Sequence, residues 1–488
     1  MRVTSPAKMW RSVPLGTFAA STKNLDPARF PDELFELYSV PSYSEGMPEV
    51  IAGREIGSSK QIVQPGDVLL CKIVPHINRV WVVPEHTGHR QIASGEWIVF
   101  RTGCLEPKYF RHLLSAPDFR EQFLQTVSGV GGSLMRARPA SVQLIEVPIA
   151  PSLELSHIVA KLDSLTARST RVRNELDLIP QLIERYKQAI LADAFSGELT
   201  ADWRRKNLHK LTCAESFVHD RQLKAIAIAN EPGRGRDEKT ALLKTDDDLN
   251  RDMNSLLETR ILPSQWCWVG LGQVFGVYVG ATPSRKESKF WNGGIPWASS
   301  GEVAFCRINS TEEMITQAGL DRSSTRLHPR GTVLLGMIGE GKTRGQAAIL
   351  DIYACNNQNC AAIRVAEAEY SPEYVYWYLY FAYQQTRTTG AGNNQPALNK
   401  ERVQRLPIPL APPEEAKIIA DAIATAFAWL DKVVQEHSSA KRLLTKLDQA
   451  ILTKAFRGEL VPQDPNDEPA DILLQRLKLN AAPKRRKS

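Results

Sequence analysis

The sequence predicts an α+β chain: two mixed α/β globules separated by two long helices that form an antiparallel coiled coil, with a pseudo-two-fold internal repeat. Three observations carry this reading. Ala189-Ile-Leu-Ala-Asp-Ala-Phe-Ser-Gly-Glu-Leu199 recurs as Ala450-Ile-Leu-Thr-Lys-Ala-Phe-Arg-Gly-Glu-Leu460, an offset of 261 (450 minus 189). A heptad stripe precedes each copy. A short apolar phrase bracketed by proline opens each stripe, Val147-Pro-Ile-Ala-Pro151 in the first half and Leu406-Pro-Ile-Pro-Leu-Ala-Pro412 in the second.

The elements follow in order. At roughly 150 residues per domain, 488 residues make about three folding units. The first globule spans 1–150, and within it Pro65-Gly-Asp-Val-Leu-Leu70 reads as a turn entering a buried strand, with a second apolar run at Val80 to Val83. Pro107 opens a helix, and a glycine-rich loop sits at Gly129 to Ser133. The second globule, 263–410, repeats the outline with Arg330-Gly-Thr-Val-Leu-Leu335, Ala347 to Leu350, Pro372 and Gly390 to Asn394. Between them, 201–262 reads as a charged linker with one helix near Thr212 to Ala229, because Phe217 is the sole aromatic residue between Arg204 and Gln265.

The helices occupy 151–200 and 411–460. In the first, Ile158, Leu162, Leu165, Ser169, Val172, Leu176, Ile179, Ile183, Tyr186 and Ile190 step by four and three, a coiled-coil seam broken only by Ser169. Adding 261 gives Ile419, Ile423, Ala426, Leu430, Val433, His437, Ala440, Leu444, Leu447 and Ile451, broken by His437, which reads as a register-setting or solvent-reaching side chain. Each rod of about forty residues measures ~60 Å and ends at glycine, Gly197 or Gly458. Pro180 predicts a kink. Two narrow stripes of equal length in one chain are most economically buried against each other. The remaining segment, 461–488, is a tail ending in Lys484-Arg-Arg-Lys487.

Composition narrows the function. A net charge of +7, from 61 basic and 54 acidic residues, permits a polyanionic partner without proving one. No apolar run is long enough for a membrane span, and no signal segment opens the chain, so a cytoplasmic protein is expected. Seven scattered cysteines fit a reducing compartment, and Cys355 with Cys360 lack a nearby histidine to complete a metal site. Gly336-Met-Ile-Gly-Glu-Gly-Lys-Thr343 satisfies a nucleotide-binding spacing, which leaves a nucleotide hydrolase as one alternative and a coiled-coil adaptor as another. A phosphate cradle must open into a helix, whereas Arg344 to Leu350 reads as a turn and a strand. Neither a nucleophile elbow nor a zinc-protease signature occurs, so no catalytic residue, cofactor or metal is expected.

The duplicated Ala-Ile-Leu-x-x-Ala-Phe-x-Gly-Glu-Leu, the Pro-Ile-x-x-Pro entries, and Ala281-Thr-Pro-Ser284 leading to Trp291-Asn-Gly-Gly-Ile-Pro-Trp297 resemble the specificity subunit of type I restriction-modification enzymes over nearly the whole chain. The resemblance implies a non-catalytic subunit whose two target recognition domains each read one half of a split double-stranded DNA sequence. It further implies paired helices that set the spacing and dock two modification (methyltransferase) subunits, with motor-nuclease restriction subunits completing the assembly. The Thr-Pro-Ser and Trp phrases occur only in the second domain, so the two readers differ and an asymmetric target follows. Candidate DNA contacts are loop residues with cationic or bidentate heads: Lys72, Asn78, Arg79, Arg136 and Arg138 in the first domain, and Arg285, Lys342, Arg344, Asn393, Asn394 and Gln395 in the second.

Overall fold

The computed structural model describes residues 9–85, 88–103, 105–128, 135–231, 235–339, 342–383 and 398–481. It divides into two units, residues 1–178 with 436–488 and residues 179–435, so each unit holds one globule and one half of each long helix. The helices expected as separate segments are instead shared, because each helix end packs into the core of the globule beside it.

In the first unit, the chain enters on Arg11–Pro14, which pairs antiparallel with Glu146–Ile149 in the register Val13↔Val147. The predicted buried strand forms at Asp67–Cys71, every residue of it buried, between Val80–Val82 and Trp97–Arg101. Gly66 makes the turn into it with φ +82°, a conformation that a Cβ would strain. A five-stranded sheet lies alongside in the order Asn24–Leu25, Lys60–Ile62, Arg90–Ala93, Leu34–Tyr38, Glu49–Ala52. Helix Pro107–Ser115 starts on proline and buries Tyr109, Phe110, Leu113 and Leu114 in a core that also takes Ile158 and Leu162 from the first long helix and Phe456 from the second.

The second unit repeats the plan. Cys267–Gly270 pairs antiparallel with Pro407–Leu410, and a five-stranded sheet runs in the order Gly276–Val279, Cys360–Arg364, Val333–Gly336, Ala347–Leu350, Cys306–Ile308. A three-stranded sheet places Trp291–Ala298 between Glu313–Ile315 and Cys355–Asn356. Segment 201–262, expected as linker, folds against this unit with helices Ala201–Asn207, Ala214–Asn230 and Asp247–Thr259. Few apolar anchors suffice there, Ala225 and Leu249 among them, because side-chain amides and a guanidinium take backbone carbonyls: Arg221 Nε donates to Val274 at 2.9 Å and Gln222 Nε2 to Gln273 at 2.7 Å.

The long helices are Ser152–Ser196 and Pro413–Phe456. Within the first unit they meet antiparallel: Ser169 with Asp448 at 2.6 Å, Leu176 with His437 at 2.9 Å, Asp177 with Lys441 at 2.6 Å. Within the second, Tyr186 lies against Trp429 and Lys187 reaches Asp431. The apolar seam positions are fully buried only toward its ends. Ile158, Leu162, Ile419, Ile423 and Leu430 are buried; Leu165, Leu176, Ile179, Ile183, Val433, Leu444 and Ile451 are half-buried. Val172 and Leu447 are 44% and 54% exposed, against the expectation, since Asp448 bonds both Ser169 and Arg173 across the middle and holds a polar bridge where an apolar layer would sit.

The chain stays helical through Pro180, where the sequence predicts a kink. Pro180 has no N–H to give the carbonyl of Leu176, four residues earlier, and His437 Nε2 supplies the missing donor from the facing helix.

Candidate nucleic-acid interface

Each globule presents one loop cluster that its fold builds in the same way. In the first unit the strand Asp67–Cys71 runs into loop 72–79, whose base is fixed by the Lys72 amide donating to the Glu96 carbonyl (3.0 Å) and the Ala137 amide donating to the Lys72 carbonyl (2.8 Å). In the second, the Met337 amide donates to Asn359 (2.8 Å) and the Leu398 amide to Met337 (3.1 Å). A tight turn follows in both, Trp97 to Ser94 and Cys360 to Asn357. Three segments therefore converge on each cluster: the hairpin loop, this turn, and the segment that follows the glycine-rich loop, a strand at Arg136–Ala137 in the first unit and an extended stretch at Leu398 in the second.

The side chains at these matched positions differ. In the first cluster Lys72 Nζ bonds the Gly95 carbonyl at 2.6 Å, and the exposed Arg136 pairs with Glu96 at 3.1 Å. Arg138 is exposed ahead of helix Pro139–Gln143. Asn78 and Arg79 turn inward: the Asn78 amide donates to the Leu114 carbonyl at 2.9 Å, and one Arg79 nitrogen is buried. In the second cluster Lys342 is exposed, while Arg344 is buried and belongs to the hairpin's framework. Asn393, Asn394 and Gln395 lie outside the described residues.

Arg285 sits on an aromatic corner. Its guanidinium lies 4.0 Å from the centroid of Trp291 and 5.4 Å from that of Trp297, two rings set at 88°, and its second nitrogen bonds Glu313 at 2.8 Å. Glu313 raises the Arg285 pKa and is itself held below the usual carboxylate range by that arginine. The Trp297 indole donates to Ala281 at 3.0 Å and the Trp291 indole to Ser284 at 3.2 Å, so the Ala-Thr-Pro-Ser phrase is clamped to strand Trp291–Ala298. Thr282 bonds Gln358 at 2.5 Å, which ties this corner to the turn beside Met337.

Among the described residues around Gly336 to Thr343, no helix follows the strand to cradle a nucleotide. Strand Val333–Gly336 pairs antiparallel with Ala347–Leu350, so the segment is a hairpin tip rather than the approach to a helix. Among the described residues no group of three His, Cys, Asp or Glu side chains is placed to hold a metal. Cys355 and Cys360 are buried thiols that burial pushes up to about 11 and about 12. His328 is buried beside Arg364, and burial first, then that cation, lowers it to about 3, so it stays neutral.

The framework around the clusters repeats in detail that the sequence reading missed. Trp10-Arg-Ser-Val-Pro-Leu-Gly16 and Trp266-Cys-Trp-Val-Gly-Leu-Gly272 share Trp-x-x-Val-x-Leu-Gly. Each tryptophan donates its indole N–H at 2.9 Å to a carboxylate in the first turn of a long helix, Trp10 to Glu154 and Trp266 to Glu415, positions 261 apart. The Tyr109 hydroxyl donates to Pro148 and the Tyr374 hydroxyl to Pro409. A Cβ on Gly16 or Gly272 would press on Gln143 or Gln404 respectively, again 261 apart.

Comparison with known proteins agrees with this duplicated plan. Residues 263–434 match the type I restriction modification DNA specificity domain. Over 371 residues the chain is 24% identical to the type I restriction enzyme EcoDI specificity subunit of Escherichia coli, covering 73% of each protein. It is 24% identical to the StySPI specificity subunit of Salmonella potsdam, covering 78% of this chain and 72% of that protein. Among solved structures, a chain from a study of complex assembly and conformational transition in a type I R-M system shares the fold with a TM-score of 0.66 at 21% identity, over 94% of this chain and 100% of that one. The HsdS subunit from Thermoanaerobacter tengcongensis matches with a TM-score of 0.58 at 22% identity, over 94% and 99%.

Proposed function

We propose, for a chain that belongs to the specificity-subunit family of type I restriction-modification systems, that its two loop clusters each read one half of an asymmetric, two-part DNA target. The observation that carries the reading is the matched pair of hairpin junctions, identical in backbone bonding and unlike in side chains. Matched junctions carry the two loops out from equivalent places; Lys72, Glu96 and Arg136 on one side and Gln358, Arg285 and Lys342 on the other then meet different base edges. Arg136 and Arg285, each anchored by a carboxylate, offer planar donors held in place before DNA arrives.

On this reading the chain breaks no bond itself. Its long helices hold the readers apart and dock two methyltransferase subunits, with restriction subunits completing the assembly. Linking the two readers turns the second contact into an intramolecular one and multiplies their affinities. Methylome sequencing of the host with and without this chain tests the proposal: a gapped, non-palindromic adenine- or cytosine-methylated motif should disappear with the gene. A methylation pattern that does not change would refute it.

A further inference from the structure

Loop 72–79 is the most constrained segment of the first cluster. Val74 and Asn78 both have left-handed backbones, φ 47° and 52°, on either side of the short turn Pro75–Ile77. For a β-branched residue preceding proline this is a costly conformation, and it persists because the surroundings fix it. The Val74 amide donates to Met135 at 3.1 Å, the Asn78 side chain to Leu114 at 2.9 Å, and Arg120 to the His76 carbonyl at 3.0 Å. What this scaffold holds out is Ile77, 48% exposed, in the loop that begins at Lys72 and bridges through Ile73 to Arg136. The matched loop of the second unit also holds out an isoleucine, Ile338, 46% exposed, directly after the buried Met337 and in the loop that carries Lys342.

A single exposed apolar side chain is ordinary on a protein surface. An isoleucine at the tip of a strained, pinned loop in a cation-bearing cluster, with a second exposed isoleucine at a different position of the matched loop, is held out toward something apolar. The apolar feature that duplex DNA shows in its major groove is the 5-methyl group of thymine. We infer that Ile77 is a specificity-determining residue that packs on a thymine methyl in the half-site read by the first domain, and that Ile338 does the same in the other half. The inference rests on the proposed DNA-reading function and adds to it the residue and the group it recognises.

The test uses the full chain assembled with its methyltransferase subunits, and duplexes carrying the methylome-defined target with each thymine replaced in turn by deoxyuridine, which deletes one methyl. With wild-type protein one replacement should weaken binding about four-fold, the change that ~0.8 kcal/mol for one buried methyl gives. Ile77→Ala should lose a similar factor on the unmodified duplex and show no further loss at that same uracil. Ile77→Val, which leaves the tip apolar, should keep the sensitivity. The inference is overturned if every uracil penalty is the same in Ile77→Ala as in wild type, or if Ile77→Ala instead weakens capture of the methyltransferase subunits. Wild-type protein that fails to prefer the target over scrambled duplex would instead bring down the DNA-reading function beneath it.

Discussion

Two carboxylates at equivalent positions show how much a residue's partners matter. Glu415 is fully buried and accepts from the Thr200 hydroxyl at 2.6 Å, Arg204 Nε at 2.8 Å and the Trp266 indole at 2.9 Å. Glu154 is also buried, yet accepts from neutral donors, the Trp10 indole and the Gln463 amide, and burial raises its pKa above the ordinary carboxylate value. Glu415→Gln strips the counter-charge from a mostly buried arginine and should destabilise the protein by about 3 kcal/mol, the cost of breaking a buried ion pair. Glu154→Gln keeps a neutral, bonded side chain and should cost under about 1 kcal/mol. Urea titrations of the two variants measure the contrast, and equal losses would contradict it. Neither carboxylate was legible in the sequence, where they look like ordinary first-turn acids favoured by the helix dipole. The same limit applies to the loop residues. Asn78 and Arg344 have the chemistry of base readers, but a helix carbonyl and the hairpin interior claim them, and only three-dimensional packing reveals that.

At the scale of elements, the rods were legible because a heptad stripe of ten positions, written twice, fits little but a long paired helix. Their polar middle was not, because Ser169 and His437 each look like isolated breaks until the facing helix supplies Asp448 and the Leu176 carbonyl. The pairing of His437 with the carbonyl that Pro180 leaves without a donor makes a coupled prediction. His437→Leu alone should cost about 1–2 kcal/mol, since it leaves a part-buried carbonyl unsatisfied. In a Pro180→Ala background the alanine amide takes over that carbonyl, and the same His437→Leu change should cost only a few tenths of a kcal/mol. A double-mutant cycle from denaturant midpoints reads the coupling directly. Additive losses would mean that the histidine does not serve the proline. The 201–262 segment is the opposite case: its polar composition reads as linker, yet Arg221 and Gln222 use that polarity to bind backbone carbonyls of the second unit, which no hydrophobic pattern signals.

For the whole molecule, the proposed function makes the helices a spacer, and the division of the chain indicates where to lengthen it. One unit ends and the other begins between Leu178 and Ile179 on the first helix, and between Gln435 and Glu436 on the second. Inserting four residues at both places adds about one turn, ~6 Å of rise, to each helix. A base pair occupies ~3.4 Å of duplex axis, so translation alone would lengthen the preferred gap by about two base pairs. Each added pair also turns the far half-site by roughly 34° around the duplex, since a helical turn holds about 10.5 pairs, and that rotation opposes the longer gap. The expected result is therefore a specificity shifted to a gap one or two base pairs longer, with both half-site sequences retained. Insertion in one helix alone puts the facing residues out of step, separating Ser169 from Asp448 or Lys187 from Asp431 in the register that now pairs them, and should abolish recognition rather than shift it. Methylome sequencing of strains carrying the three variants separates these outcomes: an unchanged gap after the matched insertions would show that the helices do not set the distance.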